Sequence, residues 1–126
     1  MKTIATDNAL KPAGHYSQAI IHNGLIYTSG QFAFDADTGE KHQESIEEET
    51  RHVLKNLELV LKEAGSCKEK VIKTTLYISD IALWTEVNRV YAEFFGDHKP
   101  VRSVVPTHGD LHFGFHVELE AVAAID

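Results

Sequence analysis

The sequence predicts an α+β fold in which two helices pack on one face of a mixed β-sheet. Three observations lead to this prediction: an Asn-Gly turn between two apolar runs, two segments with helical periodicity, and extended segments around them. The chain has 126 residues, of which 43% are hydrophobic. This size and composition fit a single domain that spans residues 1–126.

A β-hairpin is predicted near the N-terminus. The apolar segments 16–21 and 25–29 are joined through Asn23-Gly24. A type I′ turn requires positive φ at both central residues, which favours this dipeptide. A second turn is expected at residues 35–39, which contain two aspartates and a glycine.

The first helix is predicted over about residues 45–64. Ser45 and Glu48 have the spacing of a capping box, and the acidic residues 47–49 suit the positive end of the helix dipole. Gly65 suits the position that follows a helix. Side chains at intervals of three and four residues define the expected buried face. They are Ile46, Thr50, Val53, Leu57, Val60, Leu61 and Ala64.

A strand is predicted over residues 70–79, and a second helix is expected to start at Ser79 or Asp80 and to end at Gly96. The strand residues expected on one face are Ile72, Thr74, Leu76 and Ile78. The apolar stripe expected on the helix contains Trp84, Val87, Tyr91, Phe94 and Phe95. Strands over 101–105 and about 115–125 complete the chain.

The predicted order β-β-α-β-α-β-β makes each helix a crossover between strands, which favours both helices on one face of the sheet. Two helices cannot cover both faces of such a sheet. We therefore expect the other face to be covered by association with further copies of the chain.

Charge and composition narrow the class of function. Twelve basic and nineteen acidic residues give a net charge of −7, which disfavours binding to nucleic acids or anionic membranes. Cys67 is the only cysteine, so an intrachain disulfide is excluded. Neither a signal peptide nor a membrane-spanning segment is recognisable, and a soluble cytoplasmic protein is expected.

Arg102 is the first candidate for a functional residue. It lies between Val101 and Ser103 in an apolar strand, so a partly buried guanidinium is expected there. Such a group needs an anionic partner, and a substrate carboxylate held by two hydrogen bonds would provide one. A structural salt bridge or an exposed strand position is the other interpretation.

Glu118, Glu120 and His116 share one face of the last predicted strand, because side chains alternate along a strand. A carboxylate near an arginine can activate water or transfer a proton when its surroundings tune its pKa. A solvated polar face is the other interpretation. Val122 and Ala124 continue the same face as apolar residues, which indicates that it is partly covered.

A metal site is an alternative interpretation of segment 108–116. The candidate ligands, which share one parity, are His108, Asp110, His112, His116 and Glu118. Histidines spaced by four residues would face one way on a helix, as in zinc enzymes. Two glycines disfavour a helix here, and no ligand motif matches, so we expect no metal.

Taken together, the segments resemble the RidA (YjgF-type) family, also labelled endoribonuclease L-PSP, along nearly the whole chain. Each matching segment is short, and their common order and spacing make the resemblance specific. The segments are Gly14 to Ala19, Ser29 to Gln31, Thr50 through Asn56 to Gly65, Val87-Asn88, Tyr91, Phe94-Phe95, Pro100 to Ser103 and Val117 to Ala121.

The resemblance implies a chorismate-mutase-like (Bacillus-type) fold with a sheet of about six strands. It also implies a homotrimer with a central β-barrel and active sites in the clefts between subunits. The family hydrolyses reactive enamines and imines, such as 2-aminoacrylate, to 2-keto acids and ammonia without a cofactor. By resemblance, Arg102 binds the substrate carboxylate and Glu118 orients or activates the attacking water. The other residues matched to the pocket are Tyr16, Ser29 and Asn88.

The sequence departs from the family at three places. Val104, also a pocket position, replaces a common cysteine that acts largely through its backbone carbonyl, so activity is expected to survive. The stretch between Arg102 and Glu118 is one residue longer than usual, and His15 replaces a frequent proline. The longer loop leaves the substrate preference open, as well as whether Glu118 or Glu120 faces the cleft.

Two other functions remain as alternatives to an imine deaminase. Some family members are labelled endoribonucleases or translation inhibitors, but the net charge of −7 and the lack of a basic patch disfavour RNA binding. A non-enzymatic trimer that binds metabolites is the second alternative. The expected partners are a small carboxylate-bearing enamine or imine and other copies of the chain, with no nucleic acid or membrane.

Overall fold

The computed structural model describes residues 1–126, and its first paired elements form the predicted hairpin. Strands β2 (Ala19–His22) and β3 (Leu25–Thr28) are antiparallel. Asn23 and Gly24 have φ values of 51° and 77°, which confirms the positive φ expected of both turn residues. A further strand, β1 (Lys2–Ile4), pairs with β2 and was not predicted, because three residues are too few to show alternation.

Helix α1 spans Ile46–Glu63, close to the predicted bounds. The Ser45 hydroxyl accepts a hydrogen bond from the Glu48 N–H at 3.1 Å, which confirms half of the capping box. The Glu48 carboxylate does not complete the box, because it pairs with Arg51 at 2.5 Å. Gly65, with φ of 83°, follows the helix as predicted.

Helix α2 spans Trp84–Phe95 and ends at Gly96, which has φ of 62°. A short 3₁₀ turn at Ile81–Leu83 precedes it, and Asp80 accepts a hydrogen bond from the Ala82 N–H at 2.9 Å. The predicted stripe is confirmed in part, since Trp84 and Phe94 are only half-buried. The buried residues of the helix are Val87, Val90, Tyr91 and Phe95.

Strand β4 (Val71–Ile78) corrects one part of the prediction. Its register shifts between Val71 and Lys73, so Val71 takes the buried position and Ile72 is 45% exposed. The predicted position of Ile72 on the same face as Thr74, Leu76 and Ile78 was wrong, because a bulge breaks the two-residue repeat. The other side chains of the predicted face, at Thr74, Leu76 and Ile78, are buried.

The six strands form one mixed sheet in the order β1-β2-β3-β6-β4-β5, with β5 at Val101–Pro106 and β6 at Val117–Ala124. Only β4 and β5 are parallel, and α2 is the crossover between them. The main apolar core lies between this sheet and both helices. The mixed sheet with two helices agrees with the predicted α+β class. Neither helix is long and apolar enough to cross a membrane.

The sheet face opposite the helices has no helix over it. Exposed apolar side chains on this side include Tyr27, which is 46% exposed, and Val101 and Val105 on the edge strand β5, which are 63% and 38% exposed. The chain therefore leaves one face of its own sheet uncovered, as the element count predicts. The homotrimer and its central barrel remain predictions.

Candidate active site

Strand β6 directs Glu118 away from the helices. Its neighbours Val117 and Leu119 are fully buried in the main core, so Glu118 lies on the opposite face, where it is half-buried. Glu120 lies on the same face and accepts a hydrogen bond from the Tyr77 hydroxyl at 3.0 Å. Glu118, and not Glu120, lines a cleft on this side.

This cleft has a volume of about 380 Å³. Segments 13–16, 29–32 and 112–113 contribute to its walls together with Glu118. The structure thus brings together three of the predicted site residues, which are Tyr16, Ser29 and Glu118. A concave site with few polar groups and a titratable side chain is typical of small-molecule binding.

A β-bridge holds the wall segment 29–32 against β6. The Gln31 N–H donates to the Leu119 carbonyl at 2.8 Å, and the Leu119 N–H donates back at 3.1 Å. The bridge places Gly30 directly beside Glu118, and a β-carbon at position 30 would overlap the carboxylate. The Ser29 hydroxyl donates to the Ser17 carbonyl at 2.5 Å, which ties this wall to the segment before β2.

Gln18 holds the other wall, although the sequence gave no reason to single out its side chain. It is 4% exposed, and its amide donates to the carbonyls of Thr6 and Leu10, each at 3.0 Å. The Thr6 N–H donates to the Gln18 side-chain oxygen at 2.8 Å. These bonds fix the N-terminal segment beside β2 and support Tyr16, whose ring is half-exposed at the cleft.

The surroundings of Glu118 raise the pKa of its carboxyl above the ordinary glutamate value. Burial is the main cause, the negative charge of Glu120 adds to it, and His112 opposes it. A raised pKa brings proton exchange closer to neutral pH, where general acid–base catalysis is most effective.

Glu49 supports Glu118 from behind the sheet. It is 1% exposed, and its Oε2 atom accepts hydrogen bonds from the main-chain N–H groups of His116 and Val117, both at 2.7 Å. This carboxylate therefore fixes the start of β6 directly before Glu118. Sequence reasoning assigned Glu49 only to the helix dipole.

Arg102 corrects the expectation of a partly buried guanidinium, because the residue is exposed on the edge strand β5. Its guanidinium carbon lies 4.8 Å from the ring centroid of Trp84 and 4.9 Å from that of Tyr91. The Nη1 atom donates to Asn88 Oδ1 at 2.9 Å, so these two predicted site residues are in contact. None of the ion pairs of the chain involves Arg102.

The predicted site residues fall into two groups on opposite faces of the sheet. Arg102 is opposite Thr74 in the register of β4 and β5, and Thr74 contacts helix α2 through Tyr91 at 2.7 Å. Glu118 is opposite Tyr77, which points to the uncovered face. Val104, two residues after Arg102, packs against the core on the helix side. One chain therefore does not bring Arg102 and Glu118 to a common cavity.

The histidines of segment 108–116 do not converge. His112 stacks on Phe113 at the cleft, with ring centroids 3.8 Å apart. His116 shares a hydrogen bond of 2.8 Å with the Ser79 hydroxyl and lines a separate pocket with His108 and Asp110. No group of three or more acidic, histidine or cysteine side chains is placed to hold a metal ion.

A family model described as Endoribonuclease L-PSP matches residues 6–125. The chain belongs to the RidA/L-PSP family. This confirms the family resemblance drawn from the sequence segments. A RutC family protein of Pyrococcus horikoshii is 40% identical over 97% of this chain and 96% of the relative.

Two further relatives bear on the site of this RidA/L-PSP family member. Reactive Intermediate Deaminase A, a chloroplastic protein of Arabidopsis thaliana, is 35% identical over 98% of this chain and 66% of its own length. The structure of Escherichia coli TdcF with bound serine is 31% identical, with a TM-score of 0.92 and coverage of 98% of each chain. The chain thus shares its fold with this solved structure.

Proposed function

We propose that the protein hydrolyses small enamines and imines that carry a carboxylate, of the 2-aminoacrylate type, to 2-keto acids and ammonia. The observation that carries the proposal is Glu118, a half-buried carboxyl with a raised pKa. It lies in a cleft of about 380 Å³ beside Ser29 and Gly30. A carboxyl in this setting can position a water molecule and exchange protons with it.

Arg102 is proposed to bind the substrate carboxylate. A guanidinium matches a carboxylate with two parallel hydrogen bonds. Trp84 and Tyr91 lie within 5 Å of the guanidinium carbon, at 4.8 and 4.9 Å, and Asn88 binds one of its nitrogens at 2.9 Å. These contacts orient the group and leave it exposed to a ligand.

The complete site is proposed to form between subunits of a homotrimer. Arg102 and Glu118 lie on opposite faces of one sheet, so Arg102 of one protomer must meet the cleft of another if both act on one substrate. The uncovered sheet face, with Tyr27, Val101 and Val105 exposed, supports association through the sheets around a central barrel.

The reaction requires little from the protein beyond positioning and proton transfer. Protonation of the terminal carbon of an enamine gives an iminium ion, and water then adds to the carbon that bears nitrogen. Glu118 takes a proton from this water, which leaves a carbinolamine, and returns that proton to the nitrogen. The C–N bond then breaks as the C=O bond forms, and ammonia and the hydroxyl proton leave. Arg102 holds the carboxylate so that water and the reacting carbon stay aligned.

The relatives support this proposal in two respects. A relative 35% identical to this chain is named a reactive intermediate deaminase. The TdcF structure holds serine, an amino acid with the carboxylate that Arg102 is proposed to bind.

Release of ammonia from freshly generated 2-aminoacrylate tests the proposal directly. The wild-type protein is expected to exceed the spontaneous rate, and Arg102→Ala is expected to lose about 100-fold or more in kcat/KM. Arg51→Ala is the matched control, because Arg51 is an exposed arginine on α1 that pairs with Glu48 away from the cleft. If the wild type does not exceed the spontaneous rate, the proposal is wrong for this substrate class. Salt-sensitive cleavage of RNA would then favour the endoribonuclease alternative.

A further inference from the structure

We infer that the proposed active site is selective for imino acids with an aromatic side chain, which packs against the edge-to-face pair of Phe32 and Phe113. The inference rests on the proposed function and names the substrate class within it. The substrate would be the 2-imino acid that corresponds to an aromatic amino acid. Water replaces its imine nitrogen, which gives an aromatic 2-keto acid and ammonia.

The cleft that holds Glu118 has an aromatic wall. Phe32, His112 and Phe113 line the cleft together with Glu118. The ring centroids of Phe32 and Phe113 are 5.9 Å apart at an interplanar angle of 86°, which is an edge-to-face contact. A third ring can meet such a pair both edge to face and face to face, which are the favoured aromatic geometries.

Phe113 is exposed at the cleft although its backbone is held in place. Its side chain is among the exposed large apolar groups, at 39%, and its φ is 66°. That left-handed conformation is unfavourable for a bulky residue and persists only where its surroundings hold it. Lys41 donates a hydrogen bond to the Phe113 carbonyl, and Gln43 donates to the Gly114 carbonyl at 3.0 Å. The molecule thus stabilises an apolar ring at the mouth of the cleft.

Phe32 is fixed from the helix side. The buried side-chain amide of Asn56 on α1 donates to the Phe32 and Phe34 carbonyls, both at 2.7 Å. The Phe32 ring stacks on Phe115, whose side chain is fully buried, with centroids 5.4 Å apart. Both walls of the proposed side-chain pocket are therefore positioned before a ligand binds, which lowers the entropy lost on binding.

The cleft is larger than 2-aminoacrylate requires. Its volume of about 380 Å³ corresponds to about a dozen water molecules at about 30 Å³ each. A small enamine held at Glu118 would leave the space beside Phe32 and Phe113 unfilled. An aromatic ring fills this space and removes its own surface and those of Phe32 and Phe113 from water. We therefore expect a preference of about 10-fold or more for an aromatic imino acid over one whose side chain is a methyl group.

The test compares imino acids made in the reaction mixture from phenylalanine and from alanine by an amino acid oxidase. For the wild type, kcat/KM is expected to be about 10-fold or more higher with the aromatic imine. Phe113→Ala is expected to abolish this preference, mainly by raising KM for the aromatic imine. Phe113→Leu keeps the size without the ring and is expected to restore it only in part.

Ile81→Ala is the matched control, because Ile81 is 52% exposed and lies in the 3₁₀ turn before α2, away from the cleft. It is expected to keep the wild-type preference. Equal kcat/KM for both imines in the wild type overturns the inference and leaves the deaminase function standing. Loss of oligomeric assembly in Phe113→Ala, measured by light scattering, also overturns it, because the ring then serves an interface.

Binding of the keto acids phenylpyruvate and pyruvate, measured by calorimetry, separates the inference from the proposed function. Tighter binding of phenylpyruvate that Phe113→Ala removes supports the aromatic pocket even if neither imine is turned over. The deaminase proposal alone then fails. If neither imine is turned over and both keto acids bind equally, the aromatic pocket is wrong as well.

Discussion

The Glu118 carboxylate lies so close to Gly30 that a β-carbon at position 30 would overlap one of its oxygens. Gly30→Ala should therefore displace the carboxylate and leave the fold intact, because the backbone of Gly30 is outside the left-handed region. A displacement of this kind should lower kcat/KM on 2-aminoacrylate by about 100-fold. Circular dichroism and thermal unfolding should show little change.

Gly109→Ala provides the control for this substitution. An added β-carbon at Gly109 meets no atom within 4 Å, and its φ is also outside the left-handed region. Wild-type activity in Gly30→Ala would show that the position of the Glu118 carboxylate is unimportant for the reaction.

The activity should depend on pH through Glu118. Its pKa is raised by burial and by Glu120, and the proposed mechanism needs the carboxylate form. The acid limb of the kcat/KM profile should therefore lie above the ordinary glutamate range. Glu120→Gln removes the neighbouring negative charge and should shift this limb to lower pH. An unchanged limb in that variant would mean that another group controls the profile.

The same raised pKa predicts that Glu118→Gln is more stable than the wild type at neutral pH. Because the pKa of Glu118 is higher in the folded state, its protonated form stabilises the folded state. This stabilisation is complete below the ordinary glutamate pKa and is lost as the pH rises through the raised pKa of the folded state. Glutamine carries no charge, so the melting temperature of the variant should exceed that of the wild type at neutral pH. The difference should disappear in acid. A variant less stable at both pH values contradicts this sign.

The elements could be predicted from the sequence where their signals are local. The Asn23-Gly24 turn and the cap at Ser45 depend on residues within one turn, and both are present. Ile72 was assigned to the wrong face because the bulge between Val71 and Lys73 arises from pairing with β6. That strand lies more than forty residues further along the chain, as the register partners Val71 and Ala123 show.

The site could be predicted only in part, for a similar reason. Family resemblance pointed to Tyr16, Ser29 and Glu118, and the structure brings these three to one cleft. The role of Gly30 depends on its contact with Glu118 on β6. The role of Glu49 depends on its hydrogen bond to His116, which lies 67 residues further along the chain, directly before β6. A signal for Glu49 existed, since it lies three residues after Ile46 and four before Val53 on the apolar face of α1. An acidic residue on a buried face requires a partner.

Glu49 should be essential for stability. Glu49→Ala leaves the N–H groups of His116 and Val117 without an acceptor, and the loss of two bonds to a buried carboxylate should lower the free energy of unfolding by about 2–4 kcal/mol. Chemical denaturation measures this loss. Glu48→Ala is the neighbouring control and should change little, because its exposed pair with Arg51 is weak. Equal effects of the two substitutions would refute this role of Glu49.

Mixed oligomers provide the sharpest test of a shared site. Arg102 and Glu118 lie on opposite faces of one sheet, so a complete site requires Arg102 of one subunit and Glu118 of another. Arg102→Ala and Glu118→Gln each lack one of these residues, so neither variant alone can form a complete site. When the two inactive variants are unfolded together and reassembled, about a quarter of the interfaces should combine an intact Arg102 with an intact Glu118. Activity should therefore return to about a quarter of the wild-type value, whereas each variant reassembled alone stays inactive. A mixture that remains inactive, although light scattering shows reassembly, would mean that both residues act within one subunit.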